Sequence, residues 1–365
     1  MNTIRKKSSL IKKISITIGI VLLLIAAIVV YLLASEYKPA PEETVSVESS
    51  AEKTLSTGQP FTVTSWNIGY GGLDATADFF MDGGKTVNQS SEAHVQNTVD
   101  NLARQVSELN SDIFLLQEVD INSRRSFYIN QAEQIEHRLE QDHAVQSAFA
   151  YNFNVKFIPY PLPPIGHVES GVLTLNSFPA TSATRIGFDS SFSYPVSAFQ
   201  LKRCLLVERM PLADTDKELI LINLHLEAYD NGQGKAQQAA KLAQIMKDEY
   251  AKGNYVIAGG DFNSMLPSVN QNLYPLKNTE HFMPAVIDKT LLPDDWQYVT
   301  DDSAPTSRLL DHPYDTENPD SNQFYVIDGF ILSPNVTLHH AETVDYQFQW
   351  SDHNPVSISV ELNAE

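Results

Sequence analysis

The motif Trp350-Ser351-Asp352-His353-Asn354-Pro355 lies directly before the last apolar segment of the chain, Val356 to Val360. Its adjacent Asp352 and His353 offer a carboxylate that can bind a metal ion and an imidazole that titrates near neutral pH. An Asp-His pair alone is common in surface loops. The motif therefore has weight only in combination with other parts of the chain.

Five earlier apolar segments also end in polar residues that suit a metal ion. These endings are Ser65-Trp66-Asn67, Leu116-Gln117-Glu118, Asn223-Leu224-His225, Gly259-Gly260-Asp261-Phe262-Asn263 and Val326-Ile327-Asp328. The alternation of apolar and polar residues from Phe61 to Trp66 is typical of a half-buried strand. We therefore predict that these stretches meet in one site at the strand ends of one sheet system.

The side chains at these endings are mostly hard oxygen donors: Asn67, Glu118, Asp261, Asn263 and Asp352. Carboxylate and amide oxygens favour Mg²⁺ or Mn²⁺. The sequence lacks the HExxH motif and the cysteine clusters typical of zinc sites. The alternative for each single residue is a structural role, because Asp and Asn often end strands by bonding to their own backbone.

The net charge of the chain is −20, and it is unevenly distributed. The first 13 residues carry five positive charges and no negative ones, so the remaining chain has a net charge of −25. Such an acidic body argues against a general basic surface for nucleic acid. It is compatible with a polyanionic substrate if bound cations neutralise the site. The single cysteine, Cys204, excludes an intramolecular disulfide.

Residues 14–35 contain no charged side chain and are dominated by Ile, Leu, Val and Ala. As a helix they would extend roughly 33 Å, enough to cross the hydrocarbon core of a bilayer. The positive charges on the N-terminal side predict that residues 1–13 form a cytoplasmic basic tail and that the chain after residue 35 is extracellular. A cleaved signal peptide is the alternative, although its apolar region usually spans roughly 7–15 residues.

Residues 36–60 are rich in Glu, Ser, Thr and Pro, and we predict a flexible linker there. The remaining chain, 61–365, has no linker-like break and is interpreted as one domain. Ser90 or Ser91 can cap a helix whose apolar residues recur every three or four positions. A second helix is predicted from 234 to 250. Many strands with a few amphipathic helices indicate sheet packed on sheet, covered by helices.

The chain resembles the endonuclease/exonuclease/phosphatase superfamily, whose motifs occur here in family order over about residues 61–362. The matching stretches are SWNIG at 65–69, LLQEVD at 115–120, ESGVLTL at 169–175, NLHLEAY at 223–229, GGDFNS at 259–264, VIDGFILS at 326–333 and SDHNPV at 351–356. The resemblance implies a mixed α/β (α+β) fold, a four-layered αββα sandwich of the deoxyribonuclease I-like type. It also implies a metal-dependent hydrolase of phosphate esters.

The resemblance also implies metal ligands. Glu118 matches the family's principal metal-binding glutamate, Asn67 matches its partner asparagine, and Asp352 matches a further carboxylate on the metal side. Asp261 and Asn263 match the pair that positions the attacking water and the phosphate.

Histidines and an arginine complete the implied site. His353 matches the catalytic histidine, and Asp328 matches the carboxylate that orients it. His225 and Glu169 would form a second histidine–carboxylate pair, as in the deoxyribonuclease branch. Arg203 falls where some members have an arginine that contacts phosphate, and a salt bridge is the alternative for it.

The substrate class stays open between nucleic acid and phospholipid head groups. The chain lacks the Trp-Cys-Asp-Arg segment of the inositol polyphosphate 5-phosphatases, and His225-Leu226-Glu227-Ala228-Tyr229 is somewhat similar to neutral sphingomyelinases. We predict a phosphodiesterase, nuclease-like or acting on phospholipid head groups, anchored in the cell membrane and without an implied protein partner. The alternatives are a catalytically silent binding module of the same fold and a membrane-tethered scaffold protein.

Overall fold

The computed structural model describes residues 2–89, 91–141, 144–230 and 232–364. It contains four α-helices: α1 (Asn2–Ala34), α2 (Glu92–Leu109), α3 (Gln131–Glu140) and α4 (Gln233–Tyr250). The strands in the first half of the chain are β1 (Glu42–Val45), β2 (Val47–Ser49), β3 (Pro60–Asn67), β4 (Ile113–Asp120), β5 (Gln146–Ile158), β6 (Gly166–Asn176) and β7 (Ser182–Gly187). The later strands are β8 (Cys204–Pro211), β9 (Glu218–His225), β10 (Tyr255–Asp261), β11 (Ser264–Met265), β12 (Ala285–Val286), β13 (Gln297–Val299), β14 (Ser307–Arg308), β15 (Phe324–Tyr325), β16 (Asp328–Leu332), β17 (Val336–Thr343) and β18 (Val356–Leu362).

Two seven-stranded sheets form the centre of the described structure. The first, sheet I, has the strand order β1-β7-β8-β9-β10-β16-β13, and the second, sheet II, has the order β17-β18-β3-β4-β6-β5-β2. β9 and β10 are parallel, as are β3 and β4, whereas the other neighbours within the two sheets run antiparallel.

The hydrophobic core lies between the two sheets and beneath the helices. Val63 and Leu115 of sheet II pack with Leu221 and Ile257 of sheet I in one buried cluster. Alternate residues of the same strands face the helices, because successive side chains of a strand point to opposite faces. Residues of α2 and α3 pack on sheet II, and residues of α4 pack on sheet I. The four layers confirm the predicted fold class.

The predicted N-terminus of α2 agrees with the structure. Ser91 is the N-cap, and its side chain accepts a hydrogen bond from the backbone N–H of His94. Ser90, the alternative cap, lies outside the described residues. Val95, Val99 and Leu102 recur at three- and four-residue spacing and are fully buried, as expected for the apolar face of an amphipathic helix.

α1 covers both the predicted basic tail and the predicted anchor as one continuous helix. Its part from Leu10 to Ala34 is long and apolar enough to cross a membrane, and this part is not buried against the rest of the chain. A signal sequence near an N-terminus meets the same criteria.

The prediction that residues 36–60 form a flexible linker differs from the structure. β1 pairs with β7 at the edge of sheet I, and β2 pairs with β5 at the edge of sheet II. Leu55 is buried in the core between the sheets. The composition was misleading because an edge strand exposes one side to water, so that polar residues such as those of β1 are compatible with it.

Glu208 of β8 is a carboxyl group buried between the sheets, where Asn176 of β6 donates a hydrogen bond of 2.7 Å to its Oε2 atom. Burial raises the pKa of Glu208 to about 8, against the effect of the hydrogen bonds from Asn176 and Gln146. The folded-state pKa therefore exceeds the unfolded one. The resulting stabilisation is complete below the unfolded pKa and is lost as the pH rises towards about 8.

We expect Glu208→Gln to raise the apparent Tm at pH 9 and to change it little at pH 5. Glutamine keeps the shape of the protonated acid but cannot ionise, and a pKa difference is equivalent to about 1.4 kcal/mol per unit. Thermal unfolding of the detergent-solubilised chain at both pH values measures this effect. Glu342→Gln, at an exposed position, is the control. An unchanged dependence of Tm on pH in Glu208→Gln would contradict the assignment.

Candidate active site

The strand ends of both sheets converge at one edge of the sandwich. Asn67 ends β3, His225 ends β9 and Asp261 ends β10. Asp261 lies beside His225 in the parallel pair of β9 and β10 and opposite Asp328 in the antiparallel pair of β10 and β16. The hydrogen-bond register thus places side chains from distant parts of the sequence next to one another.

Two site residues have backbone conformations that side-chain-bearing residues rarely adopt. Glu118 has a φ of 54° and Asn263 a φ of 46°. Glu118 lies where the register of β4 and β6 shifts, between Leu116 and Val119. Such β-bulges redirect a side chain, and positive φ values at non-glycine residues often occur at functional sites.

His353 and Asp328 form a buried histidine–carboxylate pair. His353 Nδ1 lies 2.9 Å from Asp328 Oδ2, and Nε2 lies 3.2 Å from Ser307 Oγ. The same Nε2 atom is 3.9 Å from the nearest carboxylate oxygens of Asp261 and Asp352. Burial lowers the pKa of His353, but the charge and hydrogen bond of Asp328 outweigh it and raise that pKa well above its usual value.

An acidic cluster surrounds this pair. Asn67 Nδ2 donates to Asp261 Oδ2 at 3.0 Å and to Glu118 Oε1 at 3.4 Å. Burial raises the pKa of Asp261, and the charge of Asp328 adds to the rise. Burial also raises the pKa of Asp352 to about 7, opposed by the charge of His353 and reinforced by that of Glu118.

The donor set of this cluster fits a hard divalent cation. Glu118, Asp261 and Asp352 are carboxylates, and their ion-pair contacts go to the imidazoles of His225 and His353. A cation would stabilise the charged carboxylates, whose negative charges otherwise repel one another. Asn67, Glu118 and Asp352 remain our candidate ligands, with Asp261 at the boundary of the cluster.

A second grouping of possible ligand atoms overlaps the histidine pair. Atoms of Asp261, Asp328 and His353 lie within 4.8 Å of one another. His353 Nδ1, however, already faces Asp328 at hydrogen-bond distance. We therefore interpret His353 and Asp328 as a hydrogen-bonded pair with Asp261 3.9 Å from His353 Nε2, and we keep the oxygen donors around Glu118 as the candidate metal site.

The predicted pair of His225 and Glu169 does not occur in the structure. His225 Nε2 lies 3.4 Å from Asp261 Oδ2, and its Nδ1 atom is buried without a hydrogen-bond partner. Glu169 instead contacts His167 at 3.2 Å and Lys156 at 3.7 Å. His225 ends a strand of sheet I and Glu169 lies on sheet II, where the antiparallel register with β5 brings it beside other residues.

Arg203 is buried next to Glu227, at 4.0 Å between Nε and Oε2. This distance is at the limit of an ion pair, and both Nε and Nη1 lack hydrogen-bond partners. Burial lowers the pKa of His225 well below its usual value, and the positive charge of Arg203 adds to this effect. Both predicted roles of Arg203, the salt bridge and the phosphate contact, are compatible with this position.

Lys235 is a further cation near the site that the sequence analysis missed. It lies in the first turn of α4, is 9% exposed and has its Nζ atom 5.1 Å from the centre of the Phe282 ring. Burial lowers the pKa of Lys235, while the charges of Asp230, Glu227 and Asp261 oppose this effect. No strand-end pattern marks a lysine within a helix, so periodicity could not have identified it.

We expect Lys235→Met to lower kcat/KM for phosphate esters by about 10- to 100-fold. The estimate corresponds to a charge-assisted hydrogen bond of about 1.5–3 kcal/mol with a substrate phosphate. Steady-state kinetics at fixed Mg²⁺ measure the effect. Lys241→Met, at an exposed position of the same helix, is the matched control. Equal kcat/KM values for the two variants would contradict a role for Lys235.

Comparisons with known proteins agree with this fold. The profile of the Endonuclease/Exonuclease/phosphatase family matches residues 64–353. The chain is similar to the solved endonuclease/exonuclease/phosphatase of Beutenbergia cavernae, with a TM-score of 0.55 and 15% identity over 84% of this chain and 72% of the other. For the corresponding protein of Bacteroides vulgatus the TM-score is 0.52 and the identity 15%, over 84% of this chain and 100% of the other. For the family protein of Leptotrichia buccalis the TM-score is 0.52 and the identity 14%, over 83% of this chain and 100% of the other.

No curated protein matches the chain in sequence. The structural likenesses, at such low identity, show the fold alone. The profile match extends over most of the chain, and the chain belongs to the endonuclease/exonuclease/phosphatase family. Members of this family are generally metal-dependent phosphoester hydrolases.

Proposed function

We propose that this chain is a divalent-metal-dependent hydrolase of phosphate esters, with Mg²⁺ or Mn²⁺ held by Asn67, Glu118 and Asp352. The observation that supports it most directly is the His353–Asp328 hydrogen bond of 2.9 Å beside a buried group of carboxylates. Hydrolysis of a phosphate ester requires that the charge of the phosphoryl oxygens is neutralised, that a water molecule is activated and that the leaving group is stabilised. A cation held by these residues would supply part of the charge neutralisation.

The protein residues have separate tasks in this proposal. Asp261 accepts a hydrogen bond from the backbone N–H of Asn263 at 2.8 Å on Oδ1 and one from Asn67 Nδ2 at 3.0 Å on Oδ2, and these bonds fix the carboxylate that orients the attacking water. His353 faces Asp328 through Nδ1, and its Nε2, 3.2 Å from Ser307 Oγ, donates a proton to the leaving-group oxygen, while Asp261 takes up the proton that the attacking water releases. The positive charge of Arg203 acts on His225, and Lys235 interacts electrostatically with Asp261, so both are assigned to the remaining phosphate charge. Attack is in line, without a covalent enzyme intermediate.

We further propose that α1 anchors the chain as a single-pass membrane protein, with the N-terminus cytoplasmic and the catalytic domain extracellular. The five positive charges before residue 14 support this orientation. A phosphate ester, in nucleic acid or in a phospholipid head group, is the implied substrate.

The full chain in detergent, supplied with Mg²⁺ or Mn²⁺, tests the reaction. The substrates are plasmid DNA, RNA, sphingomyelin and bis-p-nitrophenyl phosphate. We expect hydrolysis of at least one of them, loss of activity with a chelator and recovery when the metal is restored. Tight binding of an ester without turnover would instead identify a silent binding module. Turnover that persists at full rate with the chelator would contradict the metal requirement.

A further inference from the structure

Two neighbouring loops expose large apolar side chains to solvent. Tyr160 and Leu162, in the loop between β5 and β6, are 73% and 86% exposed, and Tyr194 and Val196, in the segment between β7 and β8, are also exposed. Neither 157–166 nor 190–201 contains a charged residue, although the chain after residue 13 is strongly acidic. Contiguous exposed apolar groups without charge are typical of a contact surface.

The bases of the two loops pack together in one small core. Ile158 and Ile165 of the first loop contact the same buried cluster as Phe199 and Leu201 of the second segment. The carbonyl oxygen of Pro164 also accepts hydrogen bonds from Arg124 and Asn88. The exposed tips are therefore held by ordered contacts and present a single surface.

The end of α1 is joined to this surface. Lys202 Nζ donates to Glu36 Oε1 at 2.7 Å and to the carbonyl oxygen of Ser197 at 2.8 Å. Glu36 lies two residues after α1, and Ser197 follows the exposed Val196 directly. β1 then fixes the following residues to the edge of sheet I. The point at which α1 ends is thus within two hydrogen bonds of the loop that carries Tyr194 and Val196.

We propose that Tyr160, Leu162, Tyr194 and Val196 form a membrane-contact surface that inserts into the interfacial layer of the bilayer containing α1. Tyrosine is enriched at this layer, where its ring is buried and its hydroxyl stays hydrated. The bilayer is favoured over other partners because an anchor attached beside the surface keeps the two at high effective concentration. The inference rests on the proposed function in one respect, namely that α1 lies in a membrane.

The surface has a consequence for the orientation of the catalytic domain. Arg124, which binds the first loop through Pro164, follows β4, the strand that carries Glu118. The β4–β6 register places Asp120 opposite Ser170, four residues after the start of β6. The loop therefore projects from the same strand ends of sheet II that carry the candidate metal site. With the tips inserted, that edge faces the head-group layer.

Tryptophan fluorescence in vesicles tests the surface. The full chain, as Leu162→Trp or Tyr194→Trp, is reconstituted in phosphatidylcholine vesicles with or without bromine on the upper part of the acyl chains. Leu273→Trp is the control, because Leu273 is also exposed, at 46%, but lies near β13 at the other edge of sheet I, where the backbone N–H of Asn270 donates to Asp302. The natural Trp66, Trp296 and Trp350 contribute the same background to every variant.

We expect the brominated lipid to reduce the emission of the tryptophans at 162 and 194 and to leave that at 273 unchanged. Equal quenching at 162 and 273, in a chain that stays with the vesicles, would overturn the surface and leave the proposed hydrolase intact. If the emission of the tryptophan at 162 changes only when more protein is placed in each vesicle, and not with brominated lipid, a second copy of the chain covers the surface and the proposal is overturned. A chain that does not remain with the vesicles would overturn both the anchor and the surface, whereas the hydrolase assay is independent of all three results.

Discussion

Replacing His353 with alanine is expected to lower kcat by about 10²- to 10⁴-fold for any phosphate ester that the chain cleaves. The variant removes the imidazole whose Nδ1 atom lies 2.9 Å from Asp328 Oδ2 and whose Nε2 atom faces the site. Because His353 is not among the proposed metal ligands, Mg²⁺ binding should persist. Steady-state kinetics with bis-p-nitrophenyl phosphate, together with calorimetric titration of Mg²⁺, separate these two effects.

A matched control and a second variant make this result specific. His339→Ala removes a half-exposed imidazole that contacts Glu361, and it should leave kcat unchanged. Asp328→Asn keeps the size of the side chain but removes the charge that holds the His353 ring, so it should lower kcat with KM little altered. Wild-type rates of His353→Ala on every cleaved ester would exclude His353 from the mechanism.

The sequence was sufficient to predict the long strands and the helices after residue 60 and the convergence of their ends. Strand-end polar residues such as Asn67 and Asp261 could be identified because a buried strand must end in groups that reach water or one another. The order of the motifs then predicted the family and the layers. The α2 cap at Ser90 or Ser91 followed from local chemistry, since a capping serine acts on the next turn of its own helix, and the structure has Ser91 there.

Other features depend on tertiary contacts that the sequence does not encode locally. Glu169 lies opposite Asn154 in the register of β5 and β6, and it contacts Lys156 of β5 and His167 of its own strand instead of His225. The bulge at Glu118 is a tertiary adjustment to β6. β1 is polar in composition, yet pairing with β7 makes it a strand. For the bulge and for β1, the deciding interaction lies far away along the chain.

Removing the charge of Glu118 should eliminate the stabilisation by metal without unfolding the chain. At a metal concentration of 100 times Kd, binding to the folded state stabilises it by about 2.7 kcal/mol. We expect the wild-type chain to gain this amount when Mg²⁺ is added, and Glu118→Gln to gain almost none. The variant should also lose hydrolysis, because the proposed cation would no longer be held beside the phosphate.

The metal-free comparison distinguishes this loss from simple damage to the fold. Without Mg²⁺, Glu118→Gln should be at least as stable as the wild-type chain, because it removes one of several negative charges that repel one another near Asp261 and Asp352. Glu108→Gln, at an exposed position of α2, removes the same charge elsewhere and should retain the full Mg²⁺ effect. Thermal unfolding with and without Mg²⁺ measures all three chains. An equal shift of Tm in Glu118→Gln and the wild type would place the cation on other ligands, since a carboxylate that binds the metal cannot be neutralised without a loss of affinity.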